Sequence, residues 1–334
     1  MIFRKYNECV YCKSLNLKLE KKQFSKLNFY TDAIQSDLGI TKKKFEELKV
    51  YRCQNCKNYQ NNPWFDYKYA RKIYSNIYGQ HNRGWSNLIN FFNKGQTPDH
   101  GTLFKKLNKL IKIRNYAEFN TPFTGLMINF FEEEYKKNLK FYKSIFQNTL
   151  KYLSSRQLAG LDNLQIKSRS NNAQKFLSIT KKLKKKNFIK KKVNKYIYID
   201  NSELCWGQND NYKSVSSRSL SEELLDTEII NLHKKRVKPK YDLFGIFHSL
   251  DHTFEPSKIF NYALKSSKYV ILYCHVDKKL EKQHLFSFSR DFLKFLKKKK
   301  IYTFDMTYLI NKSFKTPELY VLCSKENFNN KIDL

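Results

Sequence analysis

Four cysteines stand in two pairs, Cys9-x-x-Cys12 and Cys53-x-x-Cys56, with forty residues between the pairs. Each short turn aims two sulfurs at one point, and a tetrahedral site needs two such turns brought together by the fold. Thiolates suit zinc, and four protein ligands leave no coordination position open, so the expected role is structural. Two disulfides, or four unrelated thiols, are the competing uses of the same residues. In a reducing compartment paired CxxC turns more often hold metal. Cys205, Cys274 and Cys323 show no neighbour that would activate a thiol and read as small buried residues.

The chain has seven histidines. His248 and His252 are four apart, a spacing that binds metal on a helix, but they follow an apolar run and precede Pro256, where helix geometry is not expected. His275 closes an apolar run and is a candidate base or substrate contact. His284 is expected to open a helix, where the helix N-terminus would favour a neutral imidazole able to accept a proton. His81 lies in the polar break YGQHNRGW and could reach a substrate from a lid. For each histidine taken singly, a structural role is the commoner outcome.

These residues have to be positioned by elements that the pattern shows. Residues 1–62 read as a small zinc-binding module. Residues 63–173 read as a helical linker or cap: aromatic and aliphatic residues recur every four positions from Phe65, with Pro63 at the start, and again over 103–113 and 126–153. Residues 174–334 read as α/β. Its strands are expected at 196–200 (YIYID), 241–248, 268–275, 301–305 and 319–324. Its helices are expected at 256–266 and 284–298. The last two strands have only a short connection, which argues an antiparallel strand at the sheet edge.

Composition bounds the partners. The chain has 334 residues with 27 Phe and 23 Tyr, enough to bury a large core, while 9 Gly and 6 Pro exclude collagen-like and linker-dominated classes. With 64 Lys+Arg against 30 Asp+Glu, the formal charge is +34. That suggests nucleic acid as one partner class, and the lysine runs at 181–195, 234–240 and 297–300 belong to it. An AT-rich coding sequence produces the same bias without any such function. No apolar segment is long enough to span a membrane, and the first residues lack a signal-peptide pattern, so the expected location is cytoplasmic.

The run Tyr241-Asp242-Leu243-Phe244-Gly245-Ile246-Phe247-His248-Ser249-Leu250-Asp251-His252, followed by Phe254-Glu255-Pro256, resembles a segment of class I S-adenosylmethionine-dependent methyltransferases. In that family it is the fourth strand and the turn beside the cofactor. The following helix, the strand KYVILYCH and the terminal strand pair are similar to the family in order and spacing. The double CxxC and its aromatic continuation are similar to the zinc module of sugar C-methyltransferases. The resemblance implies a Rossmann-like sheet, S-adenosylmethionine and zinc as cofactors, and a small anionic acceptor such as a nucleotide-linked sugar. It implies cofactor contacts from Asp200, Asn201, Trp206, Gly207, Phe247, His248, Asp251 and His252, with His275, His284 and His81 facing the acceptor.

The family's glycine-rich loop is expected after Asp200, where only Gly207 is present. The loop is either rebuilt around Cys205-Trp206-Gly207 or has lost the cofactor. A nucleic-acid-binding zinc protein and a catalytically inactive binding protein on the same scaffold are the alternatives.

Overall fold

The computed structural model describes residues 2–20, 39–66, 69–70, 98–119, 126, 195–200, 228–231, 241–247, 250–276, 280, 284–310 and 318–328. Among these, the N-terminal strands are β1 (Phe3–Arg4), β2 (Leu17–Leu19), β3 (Lys49–Cys53), β4 (Tyr59–Asn62) and β5 (Trp64–Phe65). A short helix α1 (Lys42–Phe45) precedes β3, and helix α2 (Pro98–Leu110) leads to strand β6 (Asn115–Phe119). Strands β7 (Lys195–Asp200), β8 (Glu228–Asn231), β9 (Tyr241–Phe247) and β10 (Ser267–His275) follow, with helix α3 (Pro256–Ser266) between the last two. The chain ends through β11 (Phe286–Ser287), α4 (Phe292–Lys298), β12 (Tyr302–Asp305), α5 (Thr307–Ile310) and β13 (Glu318–Ser324).

Seven strands make one mixed sheet in the order β12-β13-β10-β9-β6-β7-β8. Strands β8, β7, β6, β9 and β10 run parallel, and β13 runs antiparallel to both β10 and β12. The protein is therefore α/β, and all five parallel strands present their C-terminal ends along one edge. Strands β9, β10 and β13 are near-continuous apolar runs because both sheet faces are covered, as parallel sheets require. Pro256 starts α3 where its missing N–H costs nothing, and the helix buries Ile259, Phe260, Ala263 and Leu264.

Strands over 196–200, 241–247 and 268–275 and the helix over 256–266 are found as the pattern predicts. Three expectations are corrected. The central strand β6 lies inside the stretch 63–173 read as helical, so a division at residue 174 cuts through this sheet. Pro63 opens no helix, because Trp64 and Phe65 pair with Arg4 and Phe3 as β5. The region 284–298 is not one helix: it starts with the short strand β11, and α4 begins only at Phe292. The reversed strand β13 is next to the edge, and β12 is the edge itself. Residues 127–153 of the second helical reading, and the lysine run up to residue 194, lie outside the described residues.

Among the described residues, Gly245 is a glycine in the core of this sheet whose small size the packing requires. A Cβ there would meet the Tyr116 hydroxyl and come within 2.7 Å of the Phe247 ring. The Tyr116 ring thus lies over the β9 backbone and reaches Glu118. We expect Gly245→Ala to lower stability by about 1–3 kcal/mol, the usual cost of overpacking a filled core. Urea unfolding of the variant against the parent measures it.

Candidate functional site

The four cysteines of the double CxxC converge. Their sulfurs lie within 4.8 Å of one another, with Cys9 Sγ 3.6 Å from Cys56 Sγ and Cys12 Sγ 3.6 Å from Cys53 Sγ. The two turns are copies in backbone terms. Lys13 N donates to Cys9 O at 2.9 Å and Cys9 N to Ser14 O at 2.8 Å. Lys57 N donates to Cys53 O at 3.0 Å and Cys53 N to Asn58 O at 2.9 Å. Each turn closes on a lysine in the left-handed region, φ 62° at Lys13 and 67° at Lys57. That conformation is costly for a residue with a Cβ, and closing the turn holds it. Asn55 Nδ2 reaches across to Cys12 Sγ at 3.6 Å, linking the second turn to the first.

Sulfurs this close cannot all ionise without a cation between them. Hydrogen bonds from Cys12, Cys56 and Cys9 pull the Cys53 thiol below its ordinary value. The contact with Cys53 raises Cys12, but the Cys56 and Cys9 contacts outweigh it and bring Cys12 down to about 6. Cys9 and Cys56 are pushed up, each by its contact with Cys12 first. A thiophilic divalent ion would replace the remaining protons, and the cluster could hold a metal such as zinc.

The module is built into the rest of the protein. Tyr11, between the two ligands of the first turn, is buried among four phenylalanines, with its ring centroid 4.9 Å from Phe292 and 6.1 Å from Phe288. Strand β4 pairs antiparallel with β11, which places Phe286 opposite Gln60. Asn61 Nδ2 donates to His284 O at 2.7 Å, Asn58 Oδ1 accepts from Ser289 N at 3.1 Å, and Arg52 meets Asp291 at 2.9 Å. Trp64 is fully buried, 5.7 Å from the Phe254 ring in the turn after β9.

That turn belongs to the edge formed by the C-terminal ends of the parallel strands, where open α/β sheets bind ligands. The charged side chains buried among the described residues are Glu118, Asp251 and Glu318, and no lysine or arginine joins them. All three lie at this edge. Glu118 is the penultimate residue of β6, Asp251 follows β9, and Glu318 starts the reversed strand β13 opposite His275. Asp200, the last residue of β7, adds a fourth acidic position.

Glu118 accepts from the Tyr116 hydroxyl and from Leu126 N at 3.1 Å, so the chain leaving β6 returns to it after residues 120–125. Glu318 accepts from the Tyr273 hydroxyl, and Tyr273 stacks on Tyr320 at 4.1 Å. Burial, followed by the Tyr320 and Glu318 neighbours, pushes the Tyr273 hydroxyl well up and keeps it a donor.

Of the other residues singled out by sequence, Phe247 ends β9 and is buried. His252 ends the turn Leu250–His252, and His275 ends β10, both at the same edge. His284 lies in the approach to β11, not at a helix start, so the helix-dipole argument for a neutral imidazole does not hold. His81, Asn201, Trp206, Gly207 and His248 lie outside the described residues. Asp200 closes β7, which is the second strand of this sheet in chain order and not the first. The sequence reading missed Glu118, Tyr116, Tyr273 and Glu318. A carboxylate inside an apolar strand, in a chain short of acids, was the available signal. Among the described residues no helix is long and apolar enough to cross a membrane. No family model matches the chain, and no curated protein matches it.

Two measurements follow from the thiolate centre. The purified chain should bind one equivalent of zinc, and Co²⁺ substitution should give the charge-transfer bands of a four-thiolate site. Affinity should fall as pH falls, since each ligand must lose its proton to bind. Tyr11→Ala should cost about 3–5 kcal/mol, as for other large aromatic truncations, while metal stoichiometry stays at one. A loss below about 1 kcal/mol in thermal or urea unfolding would contradict the role given to Tyr11.

Proposed function

We propose that this chain is an S-adenosylmethionine-dependent methyltransferase carrying a structural zinc module, with a small anionic acceptor such as a nucleotide-linked sugar. The order of the sheet carries the reading. Numbered within the sheet, the strands lie third, second, first, fourth, fifth, seventh, sixth, with the seventh reversed. That is the arrangement of the class I methyltransferases that the segment around Gly245 resembles. Fold alone does not fix an activity, so the reading needs chemistry at the edge as well.

The chemistry fits. The cofactor brings a sulfonium and an ammonium, and when bound supplies an electrophilic methyl group. A protein with a formal charge of +34 nevertheless places its buried carboxylates at the edge where that cation would sit. Glu118 accepts from Leu126 N, the residue that follows Asn120-Thr121-Pro122-Phe123-Thr124-Gly125. In this reading that stretch, which comes after the first strand of the sheet, is the counterpart of the family's cofactor loop, with Gly125 as its single glycine. In this reading Asp200, at the end of the neighbouring strand, contacts the ribose, and Asn201, Trp206, Gly207, Phe247, His248, Asp251 and His252 are the further candidate cofactor contacts. His275, His284 and His81 remain the candidates to orient the acceptor or accept its proton.

Calorimetric titration of S-adenosylmethionine into the zinc-loaded chain tests this. We expect a micromolar dissociation constant, about −8 kcal/mol. Glu118→Gln and Asp200→Asn should each weaken it roughly tenfold or more, as loss of a charged partner does. No heat at several temperatures would overturn the reading. Steeply salt-dependent RNA binding in the same preparation would then favour a nucleic-acid partner, to which the exposed run Lys297 to Lys300 belongs.

A further inference from the structure

A cleft of about 400 Å³ opens between the start of the zinc module and the turn after β9, with Arg4, Lys5, Tyr6, Lys13 and Phe254 in its lining. Its volume is in the range of small-molecule sites. Arg4, Lys5 and Lys13 supply three cations against the single carboxylate of Glu8, which meets Lys13 at 3.0 Å. All three cations are exposed, so they cost little to keep charged while no anion is bound.

The wall that carries them is held rigidly. Arg4 pairs with Trp64 in the β1–β5 ladder, and its guanidinium lies 5.7 Å from the centre of the Tyr6 ring. Tyr6 is fixed on both sides of its backbone: its N–H donates to Asn62 Oδ1 at 2.9 Å, and its carbonyl accepts from Asn62 Nδ2 at 2.7 Å. Lys13 is placed by the knuckle hydrogen bond to Cys9 O. The far wall is Phe254, whose ring packs on Trp64 and which follows the turn carrying Asp251.

We infer that this cleft is a binding site for the phosphate end of a small phosphorylated ligand, held by Arg4, Lys5 and Lys13, with the ring of its organic part against Tyr6 or Phe254. A planar guanidinium matches phosphate oxygens two at a time, and lysines add point charge. Phe254 of this lining stands three residues after Asp251, the buried carboxylate of the turn that follows β9. The identity of the ligand as the methyl acceptor rests on the function proposed above. The site itself does not.

The test is calorimetry with uridine diphosphate on the zinc-loaded full chain, at moderate salt, beside a separate titration of S-adenosylmethionine. Arg4→Gln combined with Lys5→Gln should weaken uridine diphosphate roughly tenfold or more. Zinc content and the affinity for S-adenosylmethionine should not change. Lys258→Gln, at an exposed lysine on α3, should leave uridine diphosphate binding as it was. Equal affinity in the parent and the double variant would overturn the site, as would absence of uridine diphosphate binding to the parent. Binding of oligouridine that the double variant weakens, without binding of uridine diphosphate, would replace the small ligand by RNA and also overturn it. Uridine diphosphate binding that depends on Arg4 and Lys5, in a chain that ignores S-adenosylmethionine, would keep the site and remove the methyltransferase reading.

Discussion

The meeting of two short turns at four sulfur atoms is the constraint on which the described N-terminal strands depend. Cys9 and Cys53 are far apart in sequence, and the described elements between them are two short strands and one short helix. A unit of this size has little core of its own and gains stability from a metal or from a partner surface. Here the four cysteines could hold the first, and the phenylalanines around Tyr11 supply the second. The metal site would set the distance between the turns, and Tyr11, placed between two ligands, ties that distance to the phenylalanines around α4. The pairing of β4 with β11 extends the coupling through backbone hydrogen bonds. The module is therefore part of the same packed body as the seven-stranded sheet, and its first strand can form one wall of a cleft whose other wall follows β9.

How much of this was legible in the sequence depends on how local each feature is. The cysteine pairs were legible because CxxC fixes a turn by itself and two such turns suffice to suggest a site. Strands β9 and β10 and helix α3 were legible because each is a long apolar or amphipathic run with clear punctuation, Pro256 among it. Strand β6 was not. Asn115–Phe119 reads NYAEF, five residues with a carboxylate at the fourth, and nothing local reveals that Tyr116 and Leu126 satisfy it. Without β6 the strand that ends at Asp200 stands in for the first of the sheet, where it is the second, while β9 keeps the fourth place that the resemblance gives it.

The error at 284–298 has a different cause. Leu285, Phe286 and Phe288 look like the opening of an amphipathic helix, yet Ser287 and Ser289 between them are buried too. Both faces are covered because β4 lies alongside and Tyr11 packs against the phenylalanines. Such a segment has no polar face, and its periodicity says nothing. Only a contact with residues more than two hundred positions earlier decides that it is extended. That contact is also the one that removes the helix N-terminus from His284.

The charge of the chain has to be read by location. A total of +34 invites an electrostatic function for the whole surface, but net charge describes an average over mostly exposed side chains. A lysine at the surface is cheap to place, because water solvates its ammonium and its stem can cover apolar neighbours. A carboxylate inside a sheet is costly and persists only where something satisfies it. In a chain with twice as many cations as acids, buried charge drawn at random would be mostly basic. The described interior instead holds Glu118, Asp251 and Glu318 and no buried cation, all at one edge of one sheet. The scarce residue type in the costly place is the more informative signal. It supports the proposal that this edge receives a ligand carrying positive charge, whatever the abundant lysines do outside.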